Sequence, residues 1–322
     1  MPELPEVETV RRGLDRRVTG AVIRRVEIFR DSCVRLMPGG AAQFRDEVTD
    51  MTCLSVARRG KFLWIPLGNG PAEDAEVPEA SLSAHLGMSG QFRIHSAEAM
   101  PEPHPHCRAR LSLQSGAGDL TLDFLDQRTF GYLHAEELRQ TEDGHPAGTG
   151  TLTPYLPQSV AHIARDALDP ALNVAAVVAA LRRGTRGIKQ VLLDQTVMSG
   201  VGNIYADEAL WRARVHPTRP AHTVSFRAAT TVVESVQQVM ADALKAGGTS
   251  FDSLYVNVNG ESGYFARDLD AYGREHEPCS RCGASIRRER VSGRSTHWCP
   301  SCQRRYAPRR NSTAVRAKTP GM

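Results

Sequence analysis

Four cysteines near the C-terminus constrain this chain more than any other feature. Cys279 and Cys282 form one Cys-x-x-Cys pair, Cys299 and Cys302 form a second, and sixteen residues separate the pairs. Each pair can grip an ion from a tight turn, and the span between them suits a β-hairpin. The four thiolates therefore read as one tetrahedral zinc site. Four protein ligands leave no open coordination position, which makes the ion structural. Two disulfides are the alternative, which a cytosolic setting argues against. Cys33, Cys53 and Cys107 are scattered and read as small buried apolar residues.

Between the cysteine pairs the chain is rich in arginine. Eight arginines fall between Ile286 and Arg310 against the single acid Glu289, and Arg182, Arg183, Arg186 and Lys189 form a second basic cluster. The formal net charge is only +4, so this segregation says more than the total. It suits a surface that faces a polyanion, with a plain solvated face as the alternative. Arg287, Arg288, Arg290 and Arg294 would project from a metal-stiffened hairpin, a device for pressing a cation against phosphate. Arginine is the default cation here, so the rare Lys61, Lys189 and Lys245 stand out.

At 322 residues the chain can bury two cores. No apolar run approaches the roughly 18–20 residues of a membrane span, and the start shows no signal peptide. A cytoplasmic protein is expected. Residues 2–18 read as an amphipathic helix, with Val7, Val10, Leu14 and Val18 at helical spacing. From Ala21 to about Leu133 the pattern is that of short strands. Leu111 and Leu113 answer Leu120, Leu122 and Phe124 across a glycine-rich turn. Residues 69–80 look like an acidic hairpin insertion. Helices follow over Val174–Leu181, Gly187–Met198, Ile204–Arg212 and about Ala229–Ala243. The expected organisation is α+β: a β-sandwich or barrel over 2–134, a linker over 135–153, a helical domain over 154–266, a zinc module over 267–305 and a disordered basic tail over 306–322.

The N-terminus offers chemistry of its own. Removal of Met1 would expose the secondary amine of Pro2. An α-amine is roughly 10–20% neutral at pH 7, against about 0.04% for an ordinary lysine. Such an amine can form a cationic iminium with a sugar aldehyde carbon, and Glu3 and Glu6 lie beside it as acid/base candidates. A plain helix start explains the same residues.

The run Pro2-Glu3-Leu4-Pro5-Glu6-Val7-Glu8 resembles the start of bacterial formamidopyrimidine-DNA glycosylases. The likeness continues in order through Arg58–Leu63, His85–Gly90, Asp126–Gly131, Gly200–Ala206, Gly263-Tyr264-Phe265 and the cysteine hairpin, covering about residues 2–305. It implies an N-terminal β-sandwich with flanking helices, then a helix–two-turn–helix domain ending in the zinc finger, with duplex DNA in the cleft between. It implies a bifunctional glycosylase and AP lyase of base excision repair, a monomer acting on oxidised purines flipped out of the stack. By the same likeness Pro2 attacks the sugar C1′, and β- and δ-eliminations follow. Glu3 protonates the sugar ring oxygen, and Glu6 and Glu208 order the site. Lys61, Asn203 and Arg294 grip phosphates, His106 also contacts DNA, and Lys189 lies near the lesion base. Met88, Arg128 and Phe130 fill the vacated stack, as a thioether, a guanidinium and an aromatic ring can.

From the residues alone, Asn203 opens a helix whose N–H groups face an anion, with a plain helix cap as the alternative. Lys61 falls in a strand-connecting turn, with a solvated hairpin corner as the alternative. The family commonly has Asp-Pro-Arg-Arg-Phe-Gly where this chain has Asp126-Gln127-Arg128-Thr129-Phe130-Gly131, which puts one neighbouring contact in doubt. Residues 249–262, where the family folds a loop over the lesion, support no residue-level expectation. Two other readings stay open: an endonuclease VIII-like glycosylase for oxidised pyrimidines, and a non-catalytic zinc-finger DNA-binding protein. Leu4, Arg128 and Phe130 favour purine lesions over the first. The second gives Pro2 and Glu3 no task.

Overall fold

The computed structural model describes residues 2–70, 77–96, 100–247 and 269–307. The centre of the expected acidic insertion, the stretch 249–262, the Gly263-Tyr264-Phe265 run and most of the expected tail lie outside them.

Helix α1 (Leu4–Val18) forms where the sequence pattern places it, with Val7, Val10, Leu14 and Val18 fully buried. Strand β1 (Val22–Ile28), helix α2 (Gly40–Val48) and strands β2 (Thr52–Cys53), β3 (Ala57–Arg59), β4 (Phe62–Gly68), β5 (Ala80–His85), β6 (Gly90–Ser96), β7 (Cys107–Ser115), β8 (Gly118–Asp126) and β9 (Tyr132–Glu136) follow. Every pairing among these strands is antiparallel, in the order β6-β8-β7-β1-β2-β4-β5-β9, with β3 beside β4. The expected hairpin is present, with Leu111 opposite Leu122 and Leu113 opposite Leu120. Leu67 pairs with Ala80, so the 69–80 stretch connects β4 and β5.

The sandwich is one continuous sheet folded over on itself. Leu63, Leu82 and Leu133 share an apolar cleft with Phe92, Leu111 and Leu122 from the sheet's other half, and Leu14 of α1 reaches the same cleft. Strand alternation supplies the inward-facing residues, and burying both inner faces against each other removes most of their apolar surface from water. Cys33, Cys53 and Cys107 are buried within this half, and burial pushes their thiols up to about 12. They are packing residues.

The expected linker carries β10 (Leu138–Gln140), which pairs with β11 (Tyr155–Pro157). Thr149 exchanges two backbone hydrogen bonds with Arg58, of 2.9 and 3.0 Å. This segment is thus packed against the sheet. Beyond it lie α3 (Val174–Leu181), the one-turn α4 (Ile188–Leu192), α5 (Asn203–Arg212) and α6 (Phe226–Lys245), around a second core that includes Val178, Leu192, Tyr205, Val233 and Met240. The expected helix over 187–198 is short because Asp194 accepts the Thr196 N–H and hydroxyl, offering the backbone an alternative to helix. The final hairpin is β12 (Arg287–Val291) and β13 (Arg294–Trp298). No helix among the described residues is long and apolar enough to cross a membrane.

Helix α1 belongs to both halves. Its first residue, Leu4, is buried in the helical core, whereas Val7, Val10 and Leu14 are buried in the sheet core. The N-terminus is thereby set at the junction.

Candidate active site

Pro2 and Glu3 are buried at that junction. Glu3 precedes α1, and its backbone N–H donates to Glu6 Oε2 at 2.9 Å. The Glu3 carboxylate points away from its own helix toward the start of α5. It accepts the Ile204 N–H at 3.0 Å and lies 3.5 Å from the Tyr205 nitrogen. Those amides are the orphan donors of a helix N-terminus, where a negative charge is favoured. Gly202 makes the approach possible: a Cβ there would sit 2.1 Å from the Glu3 carboxyl carbon. Glu6 Oε1 accepts the Tyr205 hydroxyl at 2.7 Å. Burial is the largest influence on Glu3. Glu6 adds to it, Lys61 and the α5 amides oppose it, and the carboxyl is pushed up to about 7. A group with that value gives and takes protons near neutrality.

Lys61 is 9% exposed, and its ammonium donates to the Val201 carbonyl at 2.9 Å. Burial lowers its pKa, Glu3 raises it, and Arg294 lowers it. The solvated-corner reading of this turn fails. Arg58, just upstream, is fully buried, with ion pairs to Glu8 (2.9 Å) and Asp166 (2.8 Å). Asp166 also accepts the Gly60 N–H at 3.0 Å. A carboxylate from beyond the packed connection therefore holds the Lys61 turn in place.

Asn203 opens α5, but Gly202 occupies the cap position and the Asn203 side chain caps nothing. Its Nδ2 donates to the Ser295 carbonyl at 2.9 Å, on the zinc hairpin. The plain-cap reading fails for that reason, and Glu3 serves these amides from the other half of the molecule. Next to Ser295, at the start of β13, the Arg294 side chain is exposed.

Lys189 is 2% exposed and lies beneath the hairpin. Its ammonium is 2.6 Å from Asp207 Oδ1 and donates to the Ser295 carbonyl and Thr296 hydroxyl at 2.9 and 3.0 Å. Asp207 Oδ2 in turn accepts the His297 N–H at 2.9 Å. Glu208 accepts three successive backbone N–H groups, of Asp270, Ala271 and Tyr272, at 2.8–2.9 Å, and burial raises its pKa. Lys189, Asp207 and Glu208 thus fasten the zinc module to the helical domain.

Met88, Arg128 and Phe130 share one exposed knuckle. Met88 is 42% and Phe130 56% exposed, and Arg128 Nη1 reaches Met88 Sδ at 3.9 Å. Asp126 anchors it, accepting the Ser89 hydroxyl (2.5 Å) and the N–H groups of Arg128 (3.2 Å) and Gly131 (2.6 Å). Arg35 donates to the Phe130 and Gly131 carbonyls at 2.9 and 2.8 Å. Thr129, where the family has a second arginine, takes a φ of 55°, unusual for a β-branched residue. His106 stands nearby, half-buried, its ring 5.3 Å from that of His104.

The four sulfur atoms of Cys279, Cys282, Cys299 and Cys302 lie within 4.8 Å of one another, and those of Cys282 and Cys299 are 3.4 Å apart. A zinc–thiolate tetrahedron has edges of about 3.8 Å. The donor set fits, and these cysteines hold one structural zinc ion. Sequence reasoning missed Arg58, Asp166, Asp207, Tyr205, Ser295 and Arg35. Each acts across a long sequence separation, and although Arg58 and Tyr205 fall inside family-like runs, nothing local names their partners.

The buried Pro2 and Glu3 at the start of the chain, Lys61 beside them and a zinc hairpin on a helical domain define a DNA-repair glycosylase with a structural metal. Family models match in chain order: the formamidopyrimidine-DNA glycosylase N-terminal domain over residues 1–133, the H2TH domain of the same enzyme over 163–254, and a zinc finger found in FPG and IleRS over 277–305. Formamidopyrimidine-DNA glycosylase from Salinispora arenicola is 49% identical, over 96% of this chain and 98% of its own. That from Leifsonia xyli is 48% identical, over 94% and 100%. Among solved structures, the MutM (FPG) protein of Thermus thermophilus is 34% identical, with a TM-score of 0.74 over 94% of this chain and 98% of that one. The Lactococcus lactis Fpg complex with abasic-site DNA is 30% identical, with a TM-score of 0.74 over 94% and 100%. MutM with carbocyclic 8-oxo-G DNA is 30% identical, with a TM-score of 0.75 over the same shares. The chain belongs to the formamidopyrimidine-DNA glycosylase family.

Proposed function

We propose that this chain excises oxidised purines from duplex DNA and then cuts the strand, using Pro2 as nucleophile once Met1 is removed. The observation that carries the reading is the buried Glu3 carboxyl, held against the α5 amides beside Pro2 and titrating near neutrality. The Pro2 nitrogen attacks C1′ of the damaged nucleoside, the C1′–base bond breaks, and the base leaves with the electron pair. Glu3 donates its proton to the sugar ring oxygen, the ring opens, and an iminium joins Pro2 to C1′. With the iminium as electron sink, a base takes a C2′ proton as the 3′-phosphate leaves, then the C4′ proton as the 5′-phosphate leaves, and water finally hydrolyses the Pro2–C1′ bond. Lys61 and the exposed Arg294 supply positive charge for the phosphates around the flipped nucleotide, with Asn203 beside them.

The Met88–Arg128–Phe130 knuckle fills the gap left by the flipped nucleotide, with His106 on neighbouring phosphate. Its arginine and phenylalanine favour purine lesions over the oxidised pyrimidines of an endonuclease VIII-like enzyme. Lys189 supports the zinc hairpin and acts on the lesion through it. The working unit is a monomer at the bacterial chromosome in the cytoplasm, with domains over 2–134, 154–266 and 267–305 joined by 135–153. Cleavage of matched duplexes carrying 8-oxoguanine or thymine glycol tests the reading. Faster nicking at 8-oxoguanine is expected, and faster nicking at thymine glycol would overturn the substrate assignment.

A further inference from the structure

Trp211 lies in the last turn of α5 and is 6% exposed, in a small core with Ala271, Cys279, Ile286 and Cys299. Its indole N–H points at the metal site and donates to Cys279 Sγ at 3.4 Å. The guanidinium carbon of Arg281 stands 3.8 Å from the centroid of the Trp211 ring, and Arg281 Nη1 donates to the Trp211 carbonyl at 3.0 Å. Arg281 sits inside the Cys279–Cys282 turn. The metal loop and the helix therefore grip each other through three contacts on one tryptophan.

Four thiolates around a doubly charged ion leave a net negative cluster, and the surplus charge resides on sulfur. An N–H donor aimed at a thiolate withdraws part of that charge, so the sulfur becomes a weaker nucleophile and holds its place against competing ligands. The cation over the ring fixes the indole plane and so the direction of the N–H. We infer that Trp211 is a positioning residue of the zinc site, whose N–H bond to Cys279, fixed by Arg281, slows loss of the metal to chelators and to peroxide. In the peroxide route the Cys279 thiolate attacks one oxygen of hydrogen peroxide, forming an S–O bond and releasing hydroxide. A neighbouring thiolate then displaces a second hydroxide to form a disulfide, and zinc leaves. The inference stands on the metal site alone, whatever the substrate.

The test uses the full zinc-loaded chain and follows metal release with a chromogenic chelator, with and without hydrogen peroxide. Trp211→Phe keeps the ring and its packing but removes the N–H. Release about 10-fold faster is expected in both settings, with a smaller acceleration for Arg281→Ala. A Trp211→Phe rate equal to that of the unaltered chain would overturn the inference. A second measurement needs no substitution: the indole N–H proton resonance of Trp211 should shift when cadmium replaces zinc, while that of Trp64, buried in the other half, stays put. A Trp211 resonance indifferent to the exchange would contradict the N–H···S bond.

Discussion

The Glu3 carboxylate accepts the backbone N–H of Ile204 at 3.0 Å, joining residues 201 positions apart in the chain. One carboxyl thus closes the N-terminus of α5 and stands beside Pro2, so the proposed acid/base group and the helix end that presents Asn203 share one contact. Gly202 is the position this contact cannot spare. A Cβ there meets both Glu3 oxygens within 2.5 Å. Gly202→Ala should cost about 1–3 kcal/mol of stability and reduce excision by at least about 100-fold, since small misplacement of a reacting group is that costly. Thermal unfolding and single-turnover cleavage measure the two effects.

The raised Glu3 pKa makes stability depend on pH. The folded chain holds this proton up to about pH 7, against 4.5 for an unperturbed glutamate. The contribution is full below about pH 4.5 and is lost as pH rises through 7, to the extent of about 3 kcal/mol. Glu3→Gln should lack this loss, so its stability relative to the unaltered chain rises between pH 5 and pH 8, while excision collapses. Denaturant unfolding at a series of pH values follows the difference.

Lys189 and Asp207 distinguish a strut from a lesion contact. Removing one member of a buried ion pair leaves the other uncompensated, at about 3–5 kcal/mol. Lys189→Ala and Asp207→Asn should both lower stability and weaken binding to undamaged duplex, because both loosen the Ser295 hairpin. A Lys189→Ala variant that binds undamaged DNA normally and fails only on the lesion would assign Lys189 to the base instead.

Zinc removal should act locally first. Chelation frees the strands that present Ser295 and Arg294, so Asn203 loses the carbonyl that receives its amide. DNA affinity should fall at least about 10-fold while the helical signal of α5 and α6 persists, since metal binding energy is folding energy only for the module that holds the metal. Circular dichroism and a binding titration on the same chelated sample separate the two.

Much of this site was legible in short motifs. The cysteine spacing placed the zinc, and Gly202-Asn203 placed a helix start. The hydrophobic period placed α1 and the Leu111–Leu122 hairpin. Local pattern says nothing about partners more than about a hundred positions away. Lys61 could be read as a solvated corner because Asp166, the carboxylate that holds its turn through Arg58 and Gly60, follows Arg58 by 108 residues. Asn203 looked like a cap because the carboxylate that serves α5 precedes it by some two hundred residues. The sandwich was legible from strand alternation, but its closure from a single sheet was not, since alternation gives faces and leaves strand order open.

Borohydride trapping on a duplex with 8-oxoguanine opposite cytosine, followed by peptide mass spectrometry, tests the central claim most directly. The expected result is a covalent adduct on Pro2 of a chain that has lost Met1. An adduct on Lys61 or another lysine, or none from zinc-loaded protein lacking Met1, would contradict Pro2 as the nucleophile.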